Sequence, residues 1–573
     1  MSTEFSRAIG GCLKRAFTAT DYKFHDDPFL IPYNSMQKRD YLLSKQGGKR
    51  AARYVLTDEK NREMLFRGVN INLQQWKVAG DDRPQDPADF VRKCPPNKKI
   101  YQNPPLCNID YGKPGKGKWN QSYAANSQND LAQIRSIGMD LVRLGISWSL
   151  IEPTPGNYSE SYINRIAQVI SWAKEQDIRV LIDFHQDWYS IALNPSRGGY
   201  VDGAPPWAVL NESITTMPVL EQKIWKEIGF DWKTVAAFQT FYTNAIPTGS
   251  TMGLQEHYIR MLGHVVQTFK DEVAVLGFEI MNEPPPSVLN PLTFSNEILY
   301  PFYRRVIQAV TGVRDGMNEC ATNATNINNS CAFPDLGIHD IKHLYFVEPL
   351  ALRNQLDRSI QNVWNFTSYP NIVYAPHTYT NSFTLAKNVP YPQSLDTAWK
   401  EAYKMKAPVI VTEFGSGTSP SELDRLGNIT QQQDTHMTGS TFWVWKEGNG
   451  GWSLWENLYD QNITQYQPRR LEILSRARPY AVTGQLLSLN YNVSMKSLTF
   501  TAAAKTNTTQ PMMMASAGSS LPPTMIYIPS IVTGCEINVT GGASLGNVTT
   551  EPDNSRTVMI NVHGTGIYKV SIK

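Results

Sequence analysis

The chain alternates eight apolar segments with amphipathic helical patterns, and this alternation restricts its fold more than any other feature. The eight strand candidates are Met64–Asn72, Leu141–Ile146, Val180–Phe184, Val275–Met281, Leu344–Glu348, Ile372–Ala375, Val409–Glu413 and Thr441–Trp445. Between them, patterns such as Tyr162–Glu175 and Leu254–Lys270 put apolar residues on one helical face. Eight such strand–helix units close into a barrel. We therefore predict an α/β fold, a (β/α)8 TIM barrel with its active site at the C-terminal ends of the strands.

A second domain is expected after the barrel, because 573 residues exceed what one barrel needs. Residues 1–50 are polar and patternless, and we treat them as an N-terminal entry segment ahead of a barrel at 51–480. After Arg478-Pro479-Tyr480 the helical periodicity stops. Short strand-like runs follow at Tyr491–Phe500, Met525–Ile528, Glu536–Val539 and Thr557–Val562. They predict a C-terminal antiparallel β-sandwich domain at 481–573.

Net charge and hydropathy limit the binding partners and the cellular compartment that the sequence predicts. The formal net charge is +3, with mixed signs and no long basic run, which argues against nucleic acid. No stretch approaches the roughly 18 apolar residues of a membrane span, and the N-terminus lacks the apolar core of a secretory signal. Taken alone, these two observations predict a cytosolic protein.

Glycosylation sequons and cysteines point to a different compartment. Asn-X-Ser/Thr sequons begin at 12 positions, where composition alone would give about 7. They begin at residues 120, 157, 211, 323, 328, 365, 428, 462, 492, 507, 538 and 547. Cys94 with Cys107, and Cys320 with Cys331, close short loops that suit disulfides and lack zinc-ligand spacing. We expect a secretory or lysosomal protein whose leader is missing or unusual.

Two glutamates, Glu283 and Glu413, follow strand-like runs 130 positions apart. A single Glu after an apolar run is usually only a solvated strand end. Two that meet at the mouth of a barrel suit glycoside hydrolysis, in which one carboxyl protonates the leaving oxygen and the other attacks the anomeric carbon or activates water. Asn282 precedes the first Glu, and its amide suits a sugar hydroxyl beside the scissile bond. We interpret Glu283 as acid/base and Glu413 as nucleophile.

Further polar and aromatic residues stand at other predicted strand ends. Asp183 and His185 follow strand 3 and suit sugar hydroxyls or control of the catalytic ionisation, whereas Asp187 fits a structural network equally well. Arg143 on strand 2 would lower the pKa of a nucleophilic carboxyl. The remaining candidates are His377 and Tyr379 on strand 6, which would orient Glu413, and Trp443 on strand 8, a stacking floor or a core residue.

The sequence contains no motif for metal-dependent catalysis or for a nucleophilic serine. His257 and His264 lie seven apart on a helical pattern without HExxH, and no GxSxG motif supports a nucleophilic serine. The sequence therefore predicts no metal and no cofactor.

At this point the motifs resemble glycoside hydrolase family 5, and more narrowly its endoglycoceramidase branch. The resemblance runs from about residue 64 to the end of the chain. It rests on Arg67-Gly68-Val69-Asn70, Val142-Arg143-Leu144-Gly145, Asp183-Phe184-His185-Gln186-Asp187, Gly203-Ala204-Pro205-Pro206-Trp207-Ala208, Glu279-Ile280-Met281-Asn282-Glu283-Pro284 and Thr412-Glu413-Phe414-Gly415. The paired Glu motifs specify the larger family, and the Asp-Phe-His-Gln-Asp run and the Gly-Ala-Pro-Pro-Trp loop indicate the branch.

The resemblance implies a retaining endo-glycosidase that cuts the β-bond between an oligosaccharide and ceramide. It also implies sugar-binding roles for Asn282, Asp183, His185, Tyr379 and Trp443. Bacterial relatives carry a Lys soon after the strand 1 motif, and Lys77 is the candidate for that place here. The expected partner is a glycosphingolipid, with peripheral membrane contact, and the protein is expected to be a monomer.

Two other functions remain open. One is a family 5 β-glucosidase that acts on glucosylceramide, a steryl glucoside or another β-glucoside or β-glucan. The other is an inactive glycolipid-binding protein on the same scaffold. The products formed from an oligosaccharide-bearing glycolipid beside glucosylceramide would separate all three.

Overall fold

The computed structural model describes 17 separate segments of the chain. These are residues 38–39, 53–72, 121–187, 189–193, 203–227, 230–286, 293–316, 333–359, 363, 366, 368–369, 371–382, 385–445, 451–455, 466–504, 521–533 and 536–573. The cysteine pairs predicted to form disulfides lie outside these segments, as does Lys77.

The strands up to the end of the barrel run in chain order as follows. They are β1 (Lys38–Arg39), β2 (Arg53–Tyr54), β3 (Arg62–Met64), β4 (Arg67–Asn72), β5 (Leu141–Ile146), β6 (Arg179–Phe184), β7 (Val275–Glu279), β8 (Leu344–Val347), β9 (Ile372–Tyr374), β10 (His377–Thr378), β11 (Ile410–Phe414) and β12 (Gly439–Phe442). The short β1 and β2 pair antiparallel.

Nine of these strands form one parallel sheet in the order β10-β11-β12-β4-β5-β6-β7-β8-β9. The strands β9 and β10 are two parts of one path, interrupted at Pro376, which has no N–H to donate. Tyr374 bridges to Val409, and His377 pairs with Glu413. Because both ends of the sheet meet there, the sheet curls into an eight-stranded barrel, and the predicted TIM barrel fold is confirmed.

Helices connect the barrel strands and cover the barrel. The α-helices are Gln121–Ser136, Trp148–Ile151, Glu160–Glu175, Asn211–Thr216, Val219–Glu227, Trp232–Tyr242, Leu254–Phe269, Tyr300–Thr311, Ala351–Leu356, Tyr391–Met405, Pro420–Thr435 and Pro468–Leu474. Ile191–Leu193 and Pro206–Ala208 form 3₁₀ turns, and Ser295–Leu299 forms a π-helix. None of the helices in the described segments is long and apolar enough to cross a bilayer.

Apolar and charged layers alternate inside the barrel. Leu141 stands two residues before Arg143, and Leu181 two residues before Asp183, so each pair lies on one face of its strand. The leucines join a buried cluster with Phe66 that closes the N-terminal end. The charged layer therefore lies on the side of the C-terminal strand ends.

The predicted strand Met64–Asn72 is wrong as a single element. β3 pairs antiparallel with a strand of the C-terminal domain, whereas β4 pairs parallel with β5 and β12. Between them, Leu65 packs into the core of the C-terminal domain and Phe66 into the barrel cluster. These two consecutive residues point into different cores, which breaks the strand.

The C-terminal domain is the predicted antiparallel sandwich. Its strands are β13 (Arg478–Thr483), β14 (Gln485–Asn492), β15 (Ser497–Ala504), β16 (Thr524–Ile528), β17 (Ile537–Gly541), β18 (Ala543–Thr550), β19 (Arg556–Val562) and β20 (Gly566–Ile572). They form two sheets, β18-β19-β16-β13-β3 and β14-β15-β20-β17, over a shared apolar core.

The predicted strand Tyr491–Phe500 is instead a hairpin between β14 and β15. The Oδ1 atom of Asn492 accepts a hydrogen bond from the backbone N–H of Met495 at 2.9 Å. Lys496 has a positive φ of 49°. An Asn side chain that bonds its own backbone favours a turn over a continuous strand.

Candidate active site

Arg143 lies at the centre of the charged layer and is fully buried. Its guanidinium contacts four carboxylates, at 3.0 Å for Asp183, 2.5 Å for Glu279, 3.4 Å for Glu348 and 2.7 Å for Glu413. Burial alone would lower the pKa of Arg143, but these carboxylates outweigh it and raise the pKa well above its ordinary value. A permanently charged residue thus joins four strands of the barrel.

Glu413 is held by two donors. Arg143 Nη1 donates to its Oε1 at 2.7 Å, and the Tyr379 hydroxyl donates to its Oε2 at 2.8 Å. Burial, and then the nearby Glu413 carboxylate, raise the pKa of Tyr379, so this hydroxyl keeps its proton. These two contacts, one to each carboxylate oxygen, fix the direction of the Glu413 side chain.

Glu283 is the more accessible of the two glutamates. Its side chain is 29% exposed, compared with 8% for Glu413. It lies four residues beyond the end of β7, and its φ of 37° is positive, a conformation that side chains disfavour. Backbone strain of this kind is concentrated at functional positions.

His377 connects the two glutamates. Its Nδ1 lies 2.8 Å from Glu283 Oε1 and 3.5 Å from Glu413 Oε2, and its Nε2 lies 3.2 Å from Glu348 Oε1. An oxygen of Glu283 and an oxygen of Glu413 lie within 4.8 Å of each other. Burial alone would lower the pKa of His377, but the neighbouring carboxylates, Glu348 foremost, hold it well above its ordinary value.

Two overlapping triads bring possible metal-ligand atoms within 4.8 Å, and both use His377. Glu283 and Glu413 complete one triad, and Glu279 and Glu348 complete the other. Arg143 contacts three of these four carboxylates, and Tyr379 occupies the second oxygen of Glu413. We therefore assign these close contacts to a hydrogen-bonded network.

Asp183, His185 and Asn282 form a second buried group. His185 Nδ1 lies 2.6 Å from Asp183 Oδ2, and the Asn282 amide lies 3.4 Å from His185 Nε2. Burial alone would lower the pKa of His185, but Asp183 outweighs it and raises the pKa. Asn282 also accepts from Arg143 at 2.7 Å and donates to the Gln186 carbonyl at 2.9 Å. These three residues join the network around Arg143, and their sugar-binding roles stay predictions.

Aromatic side chains border the site. Trp443 follows β12 and stacks on His185, with ring centroids 5.3 Å apart and planes at 13°. Trp452 contacts Tyr379 edge to face at 5.9 Å. Tyr189 is buried nearby, and its hydroxyl donates to the Ala208 carbonyl at 3.0 Å.

Four network residues were not singled out from the sequence. Asn70 accepts a hydrogen bond from Arg143 at 3.0 Å and donates to the Thr412 carbonyl at 3.1 Å. Thr412 Oγ1 donates to Glu279 at 2.8 Å. Glu279 and Glu348 are both fully buried. The available signal was position, because each of these four residues lies within a predicted strand.

Comparison with known families agrees with this fold. Residues 107–458 match the family described as Cellulase (glycosyl hydrolase family 5), and residues 476–573 match the Glycoside hydrolase family 5 C-terminal domain. The first match alone spans more than half of the chain. The chain therefore belongs to glycosyl hydrolase family 5, and the protein is a glycoside hydrolase.

Curated relatives include endoglycoceramidases. The chain is 30% identical to an endoglycoceramidase of Cyanea nozakii over 213 residues, which are 33% of this chain and 40% of that protein. It is 25% identical to endoglycoceramidase I of Rhodococcus hoagii (strain 103S) over 336 residues, which are 54% of this chain and 58% of that protein. The chain thus spans about half the length of these curated relatives.

A solved structure extends the similarity to almost the whole fold. Endo-glycoceramidase II from Rhodococcus sp., in a cellobiose-like imidazole complex, has a TM-score of 0.63 and 22% identity, covering 91% of this chain and 99% of that one. A second structure of that protein is a ganglioside GM3 complex, with a TM-score of 0.61 and 21% identity. At this identity the similarity shows the fold.

A different family matches the start of the chain. Residues 3–69 match the family described as Small ribosomal subunit protein mS39, PPR. The Drosophila melanogaster mS39 protein is 42% identical over 64 residues, which are 11% of this chain and 10% of that protein. None of the motifs described above lies in residues 3–50 or indicates this similarity. Its last residues fall in β3 and β4, which belong to the sandwich and the barrel.

Proposed function

We propose that the protein is a retaining endo-glycosidase that hydrolyses the β-bond between an oligosaccharide and ceramide. The observation that carries this proposal is the approach of the Glu283 and Glu413 oxygens to within 4.8 Å at the mouth of the barrel. Retaining glycosidases hold their carboxyl groups about 5–5.5 Å apart, whereas inverting enzymes leave about 6.5–9.5 Å for a water. The short separation supports direct attack by one carboxylate.

The two glutamates divide the reaction between them. Glu413, ionised beside Arg143, attacks the anomeric carbon, and the bond to the ceramide oxygen breaks as that oxygen takes the proton of Glu283. Water then attacks the glycosyl ester, gives its proton to Glu283 and releases Glu413. The greater exposure of Glu283 suits a group that must meet both the leaving oxygen and water.

The same end of the barrel carries side chains that suit the sugar-binding roles proposed for them. The partly buried ring of Trp443 offers a face on which a sugar can stack. Asp183, His185 and Asn282 supply acceptors and donors beside it. Lys77 is likewise proposed as a substrate-binding residue, and it lies outside the described residues.

The substrate class is supported by the endoglycoceramidase relatives and by the GM3 complex of one of them. Thin-layer chromatography of products from GM3 or lactosylceramide, beside glucosylceramide, tests it. We expect an intact oligosaccharide together with ceramide. Glucose from glucosylceramide alone would favour the β-glucosidase alternative, and binding without hydrolysis would favour an inactive binding protein.

Glu413→Gln is the matched control for that experiment. The substitution keeps the side-chain size but removes the nucleophile, so we expect hydrolysis to fall by about 10³-fold or more. Hydrolysis at the wild-type rate by a folded E413Q protein would contradict the assignment of Glu413.

Stereochemistry tests the two-step mechanism independently. Proton NMR of the fresh product should show the β anomer before mutarotation. An added alcohol should intercept the glycosyl ester and give an alkyl β-glycoside. If the α anomer appears first, the mechanism is inverting and Glu413 is not the nucleophile.

We also propose peripheral contact with a lipid surface, because ceramide is held in membranes. Helix Val219–Glu227 follows β6 in the chain, in the connection on the side of the active site. Val219 and Leu220 are 79% and 69% exposed, and the exposed Lys223 and Lys226 flank them. Apolar residues beside lysines suit a lipid interface. Leu220→Asp should reduce sedimentation with anionic lipid vesicles without changing hydrolysis of a water-soluble aryl glycoside, and unchanged sedimentation would contradict this.

A secretory or lysosomal location and a monomeric state complete the proposal. Four sequon asparagines, Asn157, Asn428, Asn538 and Asn547, are exposed, which an acceptor of N-linked glycans requires. Expression behind a secretory leader in eukaryotic cells should give a glycoprotein whose mass falls after peptide-N-glycosidase treatment. Light scattering after size-exclusion chromatography should give one chain per particle. An unglycosylated secreted product or a stable dimer would contradict these two proposals.

A further inference from the structure

Glu348 is a buried carboxylate that the proposed reaction does not use. It directly follows β8 and is fully buried. Its Oε1 lies 3.2 Å from His377 Nε2 and 3.4 Å from Arg143 Nη2. Within the described part of the chain, neither its Oε2 nor His377 Nε2 has a hydrogen-bond partner. Glu348 Oε1, which also accepts a hydrogen bond from Arg143, is therefore the carboxylate oxygen that lies beside His377 Nε2.

His377 joins Glu348 to Glu283. Its Nδ1 lies 2.8 Å from Glu283 Oε1, on the opposite side of the ring from Glu348. In a neutral imidazole one ring nitrogen donates and the other accepts. A group that fixes the hydrogen on one nitrogen therefore decides what the other offers to its neighbour.

We propose that Glu348 is a positioning residue that forms, through His377, the inner end of a proton relay to Glu283. This inference rests on the acid/base role of Glu283 in the proposed function. In the outward form Glu283 carries the proton, His377 has its hydrogen on Nε2, and Glu348 is a carboxylate. In the inward form Glu283 is a carboxylate, His377 has its hydrogen on Nδ1, and Glu348 carries the proton. Between these two forms lies one in which His377 carries both hydrogens and both glutamates are carboxylates, which agrees with the raised pKa of His377.

The exchange between the two forms is balanced. The O–H bond of Glu283 and the Nε2–H bond of His377 break, while an Nδ1–H bond and an O–H bond on Glu348 form. The net charge of the three groups stays at minus one, so no charge is created inside the barrel. In the outward form, the negative charge of Glu348 favours retention of the proton by the other two groups of the relay.

Charged and titratable groups surround the relay on every side. They are Arg143 on β5, Asp183 on β6, Glu279 on β7, Glu413 on β11, Tyr379 after β10 and Tyr303, whose hydroxyl donates to the Glu348 carbonyl. Acids outnumber Arg143, the one permanent cation of this group, so a proton held among them lowers the excess negative charge. Burial, and then the approach of Glu279, raise the pKa of Glu348 well above its ordinary value, which agrees with a carboxyl able to hold that proton.

Glu348→Gln tests the relay, because it keeps the side-chain shape and removes the charge. The measurement is the pH profile of kcat/KM on a glycoside with a poor leaving group, which reports the first step. An opposite charge within about 4–6 Å shifts a pKa by about 1–3 units. We therefore expect the basic limb to move to lower pH by about one unit or more. The acid limb and the profile for a glycosyl fluoride, which leaves without protonation, should stay unchanged.

Glu401→Gln is the matched control. Glu401 is also buried and paired, with Arg353 Nε at 3.0 Å and the Tyr374 hydroxyl at 2.7 Å, but it lies on helix Tyr391–Met405 outside the barrel. It should lower thermal stability without shifting the basic limb. A basic limb in E348Q that coincides with that of E401Q and wild type would overturn the relay. Wild-type protein that hydrolyses neither substrate would overturn the proposed function itself.

Glu348→Asp provides a second variant in case E348Q does not fold. It keeps the charge but withdraws it from His377 by one methylene. The basic limb should move in the same direction by a smaller amount. An unshifted limb in a folded E348D protein would overturn the relay.

Discussion

Glu283 and Glu413 differ in how far water reaches each carboxyl. Glu413 is enclosed by Arg143 and Tyr379, and Glu283 is bordered by His377 and solvent. A carboxyl enclosed by a cation and a hydroxyl suits a nucleophile, whereas a partly exposed carboxyl beside an imidazole suits proton transfer. The two residue types are identical, and the difference between their neighbours supports the different roles proposed for them.

Replacing Glu283 with Ala should separate substrates by their leaving groups. We expect kcat/KM for a natural glycolipid to fall by about 10²–10⁴-fold, because its leaving oxygen needs a proton. A glycosyl fluoride should lose about tenfold or less, since fluoride departs unprotonated. Equal losses on the two substrates would argue against Glu283 as the acid.

The buried imidazoles and carboxyls predict how stability depends on pH. The pKa values of His185, His377, Glu279 and Glu348 are all raised in the fold. A group with a raised folded pKa contributes full stability below its unfolded pKa and loses that contribution as pH rises through the folded value. We therefore expect the melting temperature to fall between about pH 6.5 and pH 9.

His377→Gln is the matched variant for that measurement. At constant ionic strength its melting temperature should depend less on pH than that of wild type, because one of the four groups is gone. A wild-type melting temperature that rises from pH 6.5 to pH 9 would contradict the prediction, as would an unchanged slope in H377Q.

The sequence predicted the residues that end recognisable runs and several that support them, but not Glu348. Glu283 and Glu413 follow apolar runs, and the structure brings their oxygens within 4.8 Å. Glu348 also follows an apolar run, but no second signature marked it. Its position beside His377 depends on barrel closure, and one strand cannot show which residues another strand brings near.

At the scale of elements, Gly68 permits the approach of β4 to β5. A Cβ at this position would lie 2.0 Å from the Leu141 carbonyl oxygen. This contact is too close for backbone atoms to relieve by shifting. The glycine is therefore required by the spacing of two parallel strands.

Gly68→Ala should destabilise the barrel, and Gly427→Ala should not. We expect the first to cost about 3 kcal/mol or more, because two central strands must separate. Gly427 lies in helix Pro420–Thr435 with no atom within 4 Å of an added Cβ, so Ala there should stabilise by about 0.5–1 kcal/mol. Urea unfolding of both variants measures the contrast, and equal free energies of unfolding would contradict it.

The strand predictions succeeded where one apolar run served one sheet. β5 was predicted with its observed bounds, Leu141–Ile146, and most other barrel strands differ by one or two residues. The prediction failed at Met64–Asn72, where consecutive residues enter two cores, and at Tyr491–Phe500, where a turn interrupts the apolar pattern. In the first case, β3 pairs with a strand that is distant in the chain. In the second, the chain reverses within the predicted run, so that its two halves pair with each other.

At the scale of the whole molecule, the barrel and the sandwich share one junction. Tyr480 on β13 is buried in the cluster that closes the N-terminal end of the barrel, together with Phe66 and Leu141. The same strand β13 pairs with β3 and β16 of the sandwich. One strand therefore contributes to the cores of both domains.

Tyr480→Ala should destabilise both domains together. Loss of a buried aromatic side chain costs about 3–5 kcal/mol, and the shared strand should keep the unfolding transition single. Tyr403→Ala is the control, since Tyr403 is 42% exposed and should change stability by about 0.5 kcal/mol or less. A Y480A protein in which the sandwich melts alone would contradict a shared junction.

The pairing of β3 with β13 also affects the order of events during synthesis. Met64 pairs with Ala481, so the partner of this early strand is translated roughly 400 residues later. At about 5–20 residues per second, a nascent chain would carry an unpaired strand and an unclosed barrel end for about 20–80 seconds. The ribosome must therefore synthesise the chain as far as β13 before β3 finds its partner, and chaperones have that interval in which to act.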